Sequence, residues 1–146
     1  MAKQIYVNLP VNVLAKSEAF YEALGFKKNP MFSDEKASSM IWSDEIVVML
    51  LTKDFYKSFL HGQEIADTKS TNSVLLCISC DSKEEVQKFA DTAKANGGDA
   101  IKSENAGMPE DMMFSYDVYD PDGNVWEPMW MNANFNPQDM PAQPAA

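Results

Sequence analysis

The stretch YDPDGNVWE, residues 119–127, closes the second of two similar halves of this 146-residue chain. It joins a turn of Pro, Asp and Gly to an apolar run, which is typical of a strand entered through a tight turn. Earlier in the same half, an apolar run at 74–80 leads into a helix that closes at 96–98. In the first half an apolar run at 5–11 leads into a helix that closes at 24–26. Short strand-like runs follow each helix, so the sequence predicts a βαβββ unit that occurs twice.

The boundaries of the predicted elements follow from periodicity and from helix caps. Gly25 is placed to end the first helix in the left-handed conformation, and Ser82 with Glu85 forms a capping box at the start of the second long helix. For the first half we expect strands at about 3–9, 27–32, 38–42 and 46–51, and helices at about 13–24 and 53–61. For the second half we expect strands at about 73–80, 100–102, 112–119 and 124–131, and a helix at about 82–96.

Length and charge limit the classes of function. We expect a single domain over 1–134, with modules at about 3–61 and 73–131, and a flexible tail over 135–146, where Pro, Gln, Asn and Ala dominate. A net charge of −10 disfavours nucleic acid and anionic membrane surfaces as partners, because both require a basic patch. The chain has no apolar run long enough to span a bilayer and no secretion signal at its start, so we expect a cytoplasmic protein.

The two cysteines, Cys77 and Cys80, form a C-x-x-C spacing inside a predicted strand. A redox pair needs its first thiol at a helix N-terminus, where the thiolate is stabilised. Residues three apart in a strand point to opposite faces, so we expect two separate small side chains rather than a disulfide or a redox pair.

Three segments carry a resemblance to a known superfamily: NLPV at 8–11, SEAFYEALGF at 17–26, and DPDGNVWE at 120–127. In this order and at this separation they resemble the vicinal oxygen chelate superfamily, which contains glyoxalase I, bleomycin-resistance proteins, fosfomycin-resistance enzymes and extradiol dioxygenases. The resemblance covers most of 5–131. It implies an α+β fold of paired βαβββ modules that form a curved mixed sheet around a central cleft. It also implies a homodimer, since members are commonly dimers and some build each cavity from two chains.

Metal-using members of that superfamily take one ligand from each of four strands, and this chain departs from that pattern. The four positions align with Tyr6, Leu50, Leu75 and Glu127, of which only Glu127 is a conventional ligand. Asn8 could add an amide oxygen, so a site built from Tyr6, Asn8 and Glu127 remains an alternative, although amides are weak ligands. We therefore expect no conventional metal site and no cofactor.

The predicted cavity is mostly apolar. Alternation along the strands predicts that its ligand-binding residues are Tyr6, Asn8, Leu50, Leu75, Cys77 and Met129, on the same side as Glu127. Trp126 and Trp130 share the opposite face of the last strand, where they pack beneath helices or form a dimer contact.

Glu127 is the predicted catalytic residue. A carboxylate in an apolar strand is costly to bury unless it is paired or protonated, so we expect Tyr6 or a ligand beside it. The alternative is that Glu127 faces a water-filled cleft and is inert. The first functional hypothesis is a protein that binds a small, partly apolar molecule in the cleft between the modules. The second is a glyoxalase-like lyase, isomerase or dioxygenase that uses Glu127 as a base or metal ligand.

Overall fold

The computed structural model describes residues 2–136, 138 and 142, so most of the predicted tail at 135–146 lies outside the described residues. The first half contains β1 (Ile5–Val11), α1 (Leu14–Ala23), β2 (Lys27–Asn29), β3 (Ala37–Ile41), β4 (Ile46–Thr52) and α2 (Lys53–Lys57). The second half contains β5 (Leu75–Ser79), α3 (Lys83–Ala95), β6 (Asp99–Lys102), β7 (Met113–Tyr119) and β8 (Val125–Met131). Short 3-10 turns lie at Pro30–Phe32 and Asn105–Gly107.

The strand orders of the two halves are the same. The first sheet has the order β1-β4-β3-β2 and the second has the order β5-β8-β7-β6, each with four strands. In each sheet the first and last strands of the half pair in parallel and the other pairs are antiparallel. The predicted α+β fold of two βαβββ modules is therefore confirmed.

One face of each sheet, here called the inner face, packs into a single shared core together with α1 and α3. The first sheet contributes Leu9, Val48 and Leu50, and the second contributes Val118 and Trp126. The opposite faces, here called the outer faces, therefore point away from each other. Alternation and strand register place Tyr6, Asn8, Ser39, Ile41, Val47 and Met49 on the first outer face, and Leu75, Cys77, Ser79, Ser115, Asp117, Glu127 and Met129 on the second.

The turn before β8 joins the modules through a buried polar network. The Asp120 carboxylate accepts hydrogen bonds from the Tyr21 hydroxyl at 2.7 Å, from the Asn124 amide at 2.9 Å, and from the backbone N–H groups of Asp122 and Asn124, both at 2.9 Å. The Trp126 indole donates to the Tyr21 oxygen at 3.0 Å. Each polar group buried here thus has a partner, which is the condition for burying it at low cost.

The second aspartate of this turn binds the start of the first helix. Asp122 accepts from the backbone N–H of Asn12 at 2.9 Å and from the Ser17 hydroxyl at 3.2 Å. Asp120 and Asp122 are 3% and 5% exposed, so both carboxylates lie inside the protein. The sequence identified DPDG only as a turn, whereas the structure shows that it fastens the second module to α1 of the first.

The segment between the modules crosses directly over this turn. The Thr68 hydroxyl donates a hydrogen bond to the Asp122 carbonyl. Gly123 has φ +89°, and a Cβ at this position would lie 2.5 Å from the Thr68 carbonyl oxygen. Glycine is therefore required here both by the left-handed backbone and by the closeness of the crossing segment.

Trp126 and Trp130 lie on the inner side of the second sheet. Trp126 is 1% exposed in the shared core, and Trp130 packs in a smaller cluster with Phe114 and Cys80. The Lys83 ammonium lies 5.3 Å from the Trp130 ring centroid. Of the two alternatives for these tryptophans, packing beneath the helices is confirmed for Trp126. In the described part of the chain, no helix has the length and apolar character needed to cross a membrane.

Candidate functional site

The outer face of the first sheet forms a depression of about 470 Å³. Its lining combines apolar and uncharged polar side chains: Gln4, Tyr6, Asn8, Asn29, Phe32, Ser39, Ile41, Val47 and Met49. No lining residue is charged. A mostly apolar concavity with a few polar groups is the usual character of a small-molecule site.

Strand register brings these residues together. Parallel pairing of β1 with β4 sets Tyr6 beside Val47 and Asn8 beside Met49. At the other edge, the Asn29 carbonyl side-chain oxygen accepts from the backbone N–H of Met31 at 3.1 Å and so caps the turn that carries Phe32. Phe32 is 64% exposed and forms a wall of the depression.

Of the two polar side chains that β1 contributes to the depression, only Asn8 is weakly engaged. The Tyr6 hydroxyl donates to the Gln4 side-chain oxygen at 2.8 Å. The Asn8 amide donates to the Tyr6 carbonyl at 3.4 Å, a long contact. Among the described residues, the side-chain oxygen of Asn8 accepts no hydrogen bond, so it is available to a ligand.

The prediction that Leu50 faces the cavity is wrong. Leu50 pairs with Leu9 and Ser38 and is 0% exposed in the core. Its neighbour Met49 occupies the outer face instead. Because β4 is apolar at nearly every position, the sequence contains no alternation from which its faces could be assigned.

The second outer face carries the remaining predicted residues. Leu75 is 68% exposed, Cys77 pairs with Glu127, and Ser79 pairs with Met129. Burial and the negative charge of Glu127 raise the pKa of the Cys77 thiol, so this cysteine is a weak nucleophile at neutral pH. Cys80 is buried on the inner side, and both thiols are free, as expected.

Glu127 is half-buried at the centre of this second face. Within the described residues its carboxylate forms no ion pair and accepts no hydrogen bond. The structure does not bring it beside Tyr6, because the two residues lie on outer faces that point apart. The predicted Tyr6–Glu127 contact is therefore wrong within one chain.

The donor set does not fit a divalent metal ion. Of the four ligand positions that the resemblance implies, Tyr6 lies on the first outer face, Leu75 and Glu127 lie on the second, and Leu50 lies in the core, with Met49 on the outer face in its place. Catalytic divalent ions need about three nitrogen or oxygen ligands, and one carboxylate does not supply them. Among the described residues, no three His, Cys, Asp or Glu side chains are grouped closely enough to hold a metal. His61 is exposed after α2, away from both faces.

Sequence analysis missed several residues of the first outer face. Met49 is missed because the alternation of β4 is predicted one residue out of phase. Asn29, Phe32 and Ser39 are not predicted to line the site. A signal for two of them exists: Asn before Pro at 29–30 is typical of a turn, and such a turn would set Phe32 at the sheet edge.

Comparison with known proteins supports the fold seen here. The model of the Glyoxalase/Bleomycin resistance protein/Dioxygenase superfamily matches residues 3–127. No curated protein matches the chain.

Several solved structures resemble the chain throughout its length. A hypothetical protein from S. aureus is 24% identical, with a TM-score of 0.68, over 89% of this chain and 95% of that one. A glyoxalase/bleomycin resistance protein/dioxygenase family enzyme from Burkholderia phytofirmans PsJN is 20% identical, with a TM-score of 0.69, over 90% and 100% of the two chains. A bleomycin resistance determinant encoded on transposon Tn5 is 18% identical, with a TM-score of 0.59, over 90% and 99%. At these identities the structures show a common fold.

Proposed function

The chain belongs to the glyoxalase/bleomycin resistance protein/dioxygenase superfamily, and from this premise we propose that it binds a small, partly apolar molecule without a conventional metal site. The observation that carries the proposal is the depression on the first outer face, about 470 Å³ in volume. This volume lies within the usual range for small-molecule sites. Phe32, Ile41, Val47 and Met49 offer apolar contacts, and Asn8 offers a hydrogen-bonding group.

A second copy of the chain would complete this site. Both outer faces expose large apolar side chains: Tyr6 at 54% and Phe32 at 64% on the first, and Leu75 at 68%, Ile101 at 57% and Met131 at 44% on the second. Exposed apolar surface of this kind is typical of an interaction site. Because the two faces of one chain point apart, the first can meet the second only in another molecule.

Twofold pairing of the first face with the second would create two equal cavities. Each would have Tyr6 and Asn8 on one wall and the partner's Glu127 on the other. The cleft between modules that the sequence predicts would then lie between chains. This arrangement supports the expectation of a homodimer.

A second candidate function is catalysis by Glu127. The observation that favours it is a half-buried carboxylate with no partner among the described residues. Such a group is free to accept a proton from a bound substrate, as in a lyase or isomerase. Stoichiometric metal in untagged protein, lost in Glu127→Ala, would instead make Glu127 a metal ligand and contradict the proposed absence of a conventional metal site.

Native mass spectrometry of untagged protein tests the binding proposal. We expect a dimer of 16.3 kDa chains that retains a small molecule, and we expect Met49→Lys to lose that molecule because it places a charge in the depression. Met31→Lys is the matched control, since Met31 is 82% exposed and does not line the depression. A monomer would contradict the proposed dimer. Equal retention by Met49→Lys and the control would contradict the proposed site.

A further inference from the structure

The short helix α2 covers one end of the first outer face and creates a second pocket there. This α2 pocket has a volume of about 280 Å³ and is lined by Asn8, Leu51, Tyr56, Phe59 and Leu60. The helix begins directly where β4 ends, at Lys53. It therefore folds back over the outer face, where Leu51 is only 3% exposed.

The α2 pocket adjoins the larger depression through one residue. Asn8 lines both, and its side-chain oxygen has no partner among the described residues. The rest of the α2 pocket is apolar or aromatic, and the ring of Phe55 on α2 packs edge to face at 5.0 Å against the ring of Phe59 in the turn after the helix. An uncharged polar group thus lies between an apolar compartment and a mixed one.

We propose that the α2 pocket is the apolar compartment of the same ligand site, and that the ligand is an uncharged molecule with two parts. One part is a ring or a branched alkyl group that enters beneath α2. The other part is a hydroxyl, phenol or amide that hydrogen-bonds to Asn8 within the larger depression. This inference rests on the proposed function and specifies the chemical class of the ligand.

The size of the pocket supports a group as large as a ring. An apolar cavity of about 150 Å³ is sufficient to take up benzene, and the α2 pocket is larger. Its walls are held in place by Leu51, which is buried, and by Tyr56 and Leu60, which are half-buried.

The uncharged lining of the two compartments, with the partner's Glu127 opposite, disfavours an anionic ligand and leaves an ionic group beneath α2 without a partner. None of the residues that line the two compartments is charged. The charged residues of α2, which are Lys53, Asp54 and Lys57, are exposed to solvent, and Lys57 pairs with Glu64 at 3.4 Å. An ion placed beneath α2 would lose its hydration without gaining a partner, which is costly.

A titration series of phenols tests this inference on the full-length protein. Phenol, 4-butylphenol and 4-butylbenzoate would each be titrated into ¹⁵N-labelled protein and followed by NMR. We expect 4-butylphenol to bind at least about tenfold more tightly than phenol, because buried methylene groups add affinity. We expect 4-butylbenzoate to bind at least about tenfold more weakly than 4-butylphenol, because its charge has no partner.

Two variants test whether the tighter binding of 4-butylphenol, relative to phenol, arises in the α2 pocket. Leu60→Trp fills the pocket, and Phe59→Ser opens its wall at a residue that is 61% exposed, so the fold is retained. Both should remove the advantage of the butyl chain and leave phenol binding unchanged. Val13→Thr, at an exposed residue outside both compartments, should preserve the advantage.

The outcomes separate the two proposals. If neither phenol nor 4-butylphenol shifts resonances of the first outer face, the proposed function fails. If phenol binds there but the butyl chain adds nothing, or its gain persists in both variants, the α2 pocket is not part of the site. If 4-butylbenzoate binds as tightly as 4-butylphenol, the uncharged ligand class is wrong.

Discussion

Asp120 and Glu127 lie on the same β7–β8 hairpin, but their surroundings differ completely. The Asp120 carboxylate points inward and accepts four hydrogen bonds, whereas the Glu127 carboxylate lies on the outer face and accepts none from the described residues. A buried acid surrounded by donors holds the modules together. An acid left without partners is available to a ligand. The comparison teaches that one hairpin carries an acid that stabilises the fold on its inner side and an acid without a structural partner on its outer side, where the proposed ligand would bind.

The largest effect on the free energy of unfolding is expected from removing the Asp120 carboxylate on the inner side. Asp120→Ala should lower the free energy of unfolding by about 3 kcal/mol or more, since it leaves the Tyr21 hydroxyl and buried amide groups without an acceptor. Urea unfolding measures the change. Asp91→Ala, at an exposed position on α3, is the control and should cost about 0.5 kcal/mol or less. Equal losses in the two variants would show that the network is not structural.

A smaller effect, on ligand affinity, is expected from changing Glu127 on the outer face. Glu127→Gln should leave the melting temperature unchanged, because the carboxylate has no structural partner to lose. It should weaken binding of 4-butylphenol about tenfold, or ~1.4 kcal/mol, when the ligand oxygen accepts from the Asn8 side-chain amide and its hydroxyl hydrogen is donated to the partner's Glu127 in the dimer. Glu45→Gln, at an exposed turn, is the matched control. A variant that melts at a lower temperature yet binds the ligand normally would show that Glu127 stabilises the fold and does not contact the ligand.

The smallest effect concerns how the free energy of unfolding changes with pH through Tyr21 in the buried network. Burial, and then the charge of Asp120, raise the pKa of Tyr21 well above its ordinary value of 10.0. The folded state therefore keeps a proton that the unfolded chain releases, so this contribution is fully present below pH 10 and is lost as the pH rises above it. From pH 8 to pH 10.5 the wild type should lose more stability than Tyr21→Phe, by up to about 1 kcal/mol.

Cys80 contributes equally to both proteins in that experiment. Burial, followed by the charge of Glu85, raises its pKa from 9.0 to about 11, so its alkaline loss cancels in the comparison of Tyr21→Phe with wild type. Urea unfolding at the two pH values gives the difference. An identical loss in both proteins would show that Tyr21 ionises as readily in the folded state as in the unfolded chain.

The sequence was sufficient to predict the repeated module and most element boundaries. The predicted helix at 82–96 is α3, Lys83–Ala95, and the predicted strand at 124–131 is β8, Val125–Met131. Here caps, turns and periodicity agree, as expected where local signals match the fold. In β1 and β8 the predicted alternation also agrees with the strand register, which sets Tyr6 with Asn8 and Glu127 with Met129 on one side of their strands.

Two features of the site could not be predicted, for different physical reasons. The face of Leu50 was misassigned because β4, IVVMLLT, has no polar residue before Thr52 from which to fix the alternation. The expected proximity of Tyr6 to Glu127 was wrong because alternation gives the face of each strand but not the direction in which one sheet faces the other. That direction depends on both helices packing between the sheets, which is a property of the whole core.

The contacts between the halves also make them unequal. Where α1 meets the DPDG turn, the contact is polar and carries two aspartates. The reciprocal contact, where α3 meets the first sheet, is aromatic, with Trp42 and Phe89 6.0 Å apart. Two identical modules would form the same contact twice. By strand register, the first half has Trp42 where the second half has Asp120, and only the first half has Tyr21 on its helix, so neither half can take the place of the other in the polar contact.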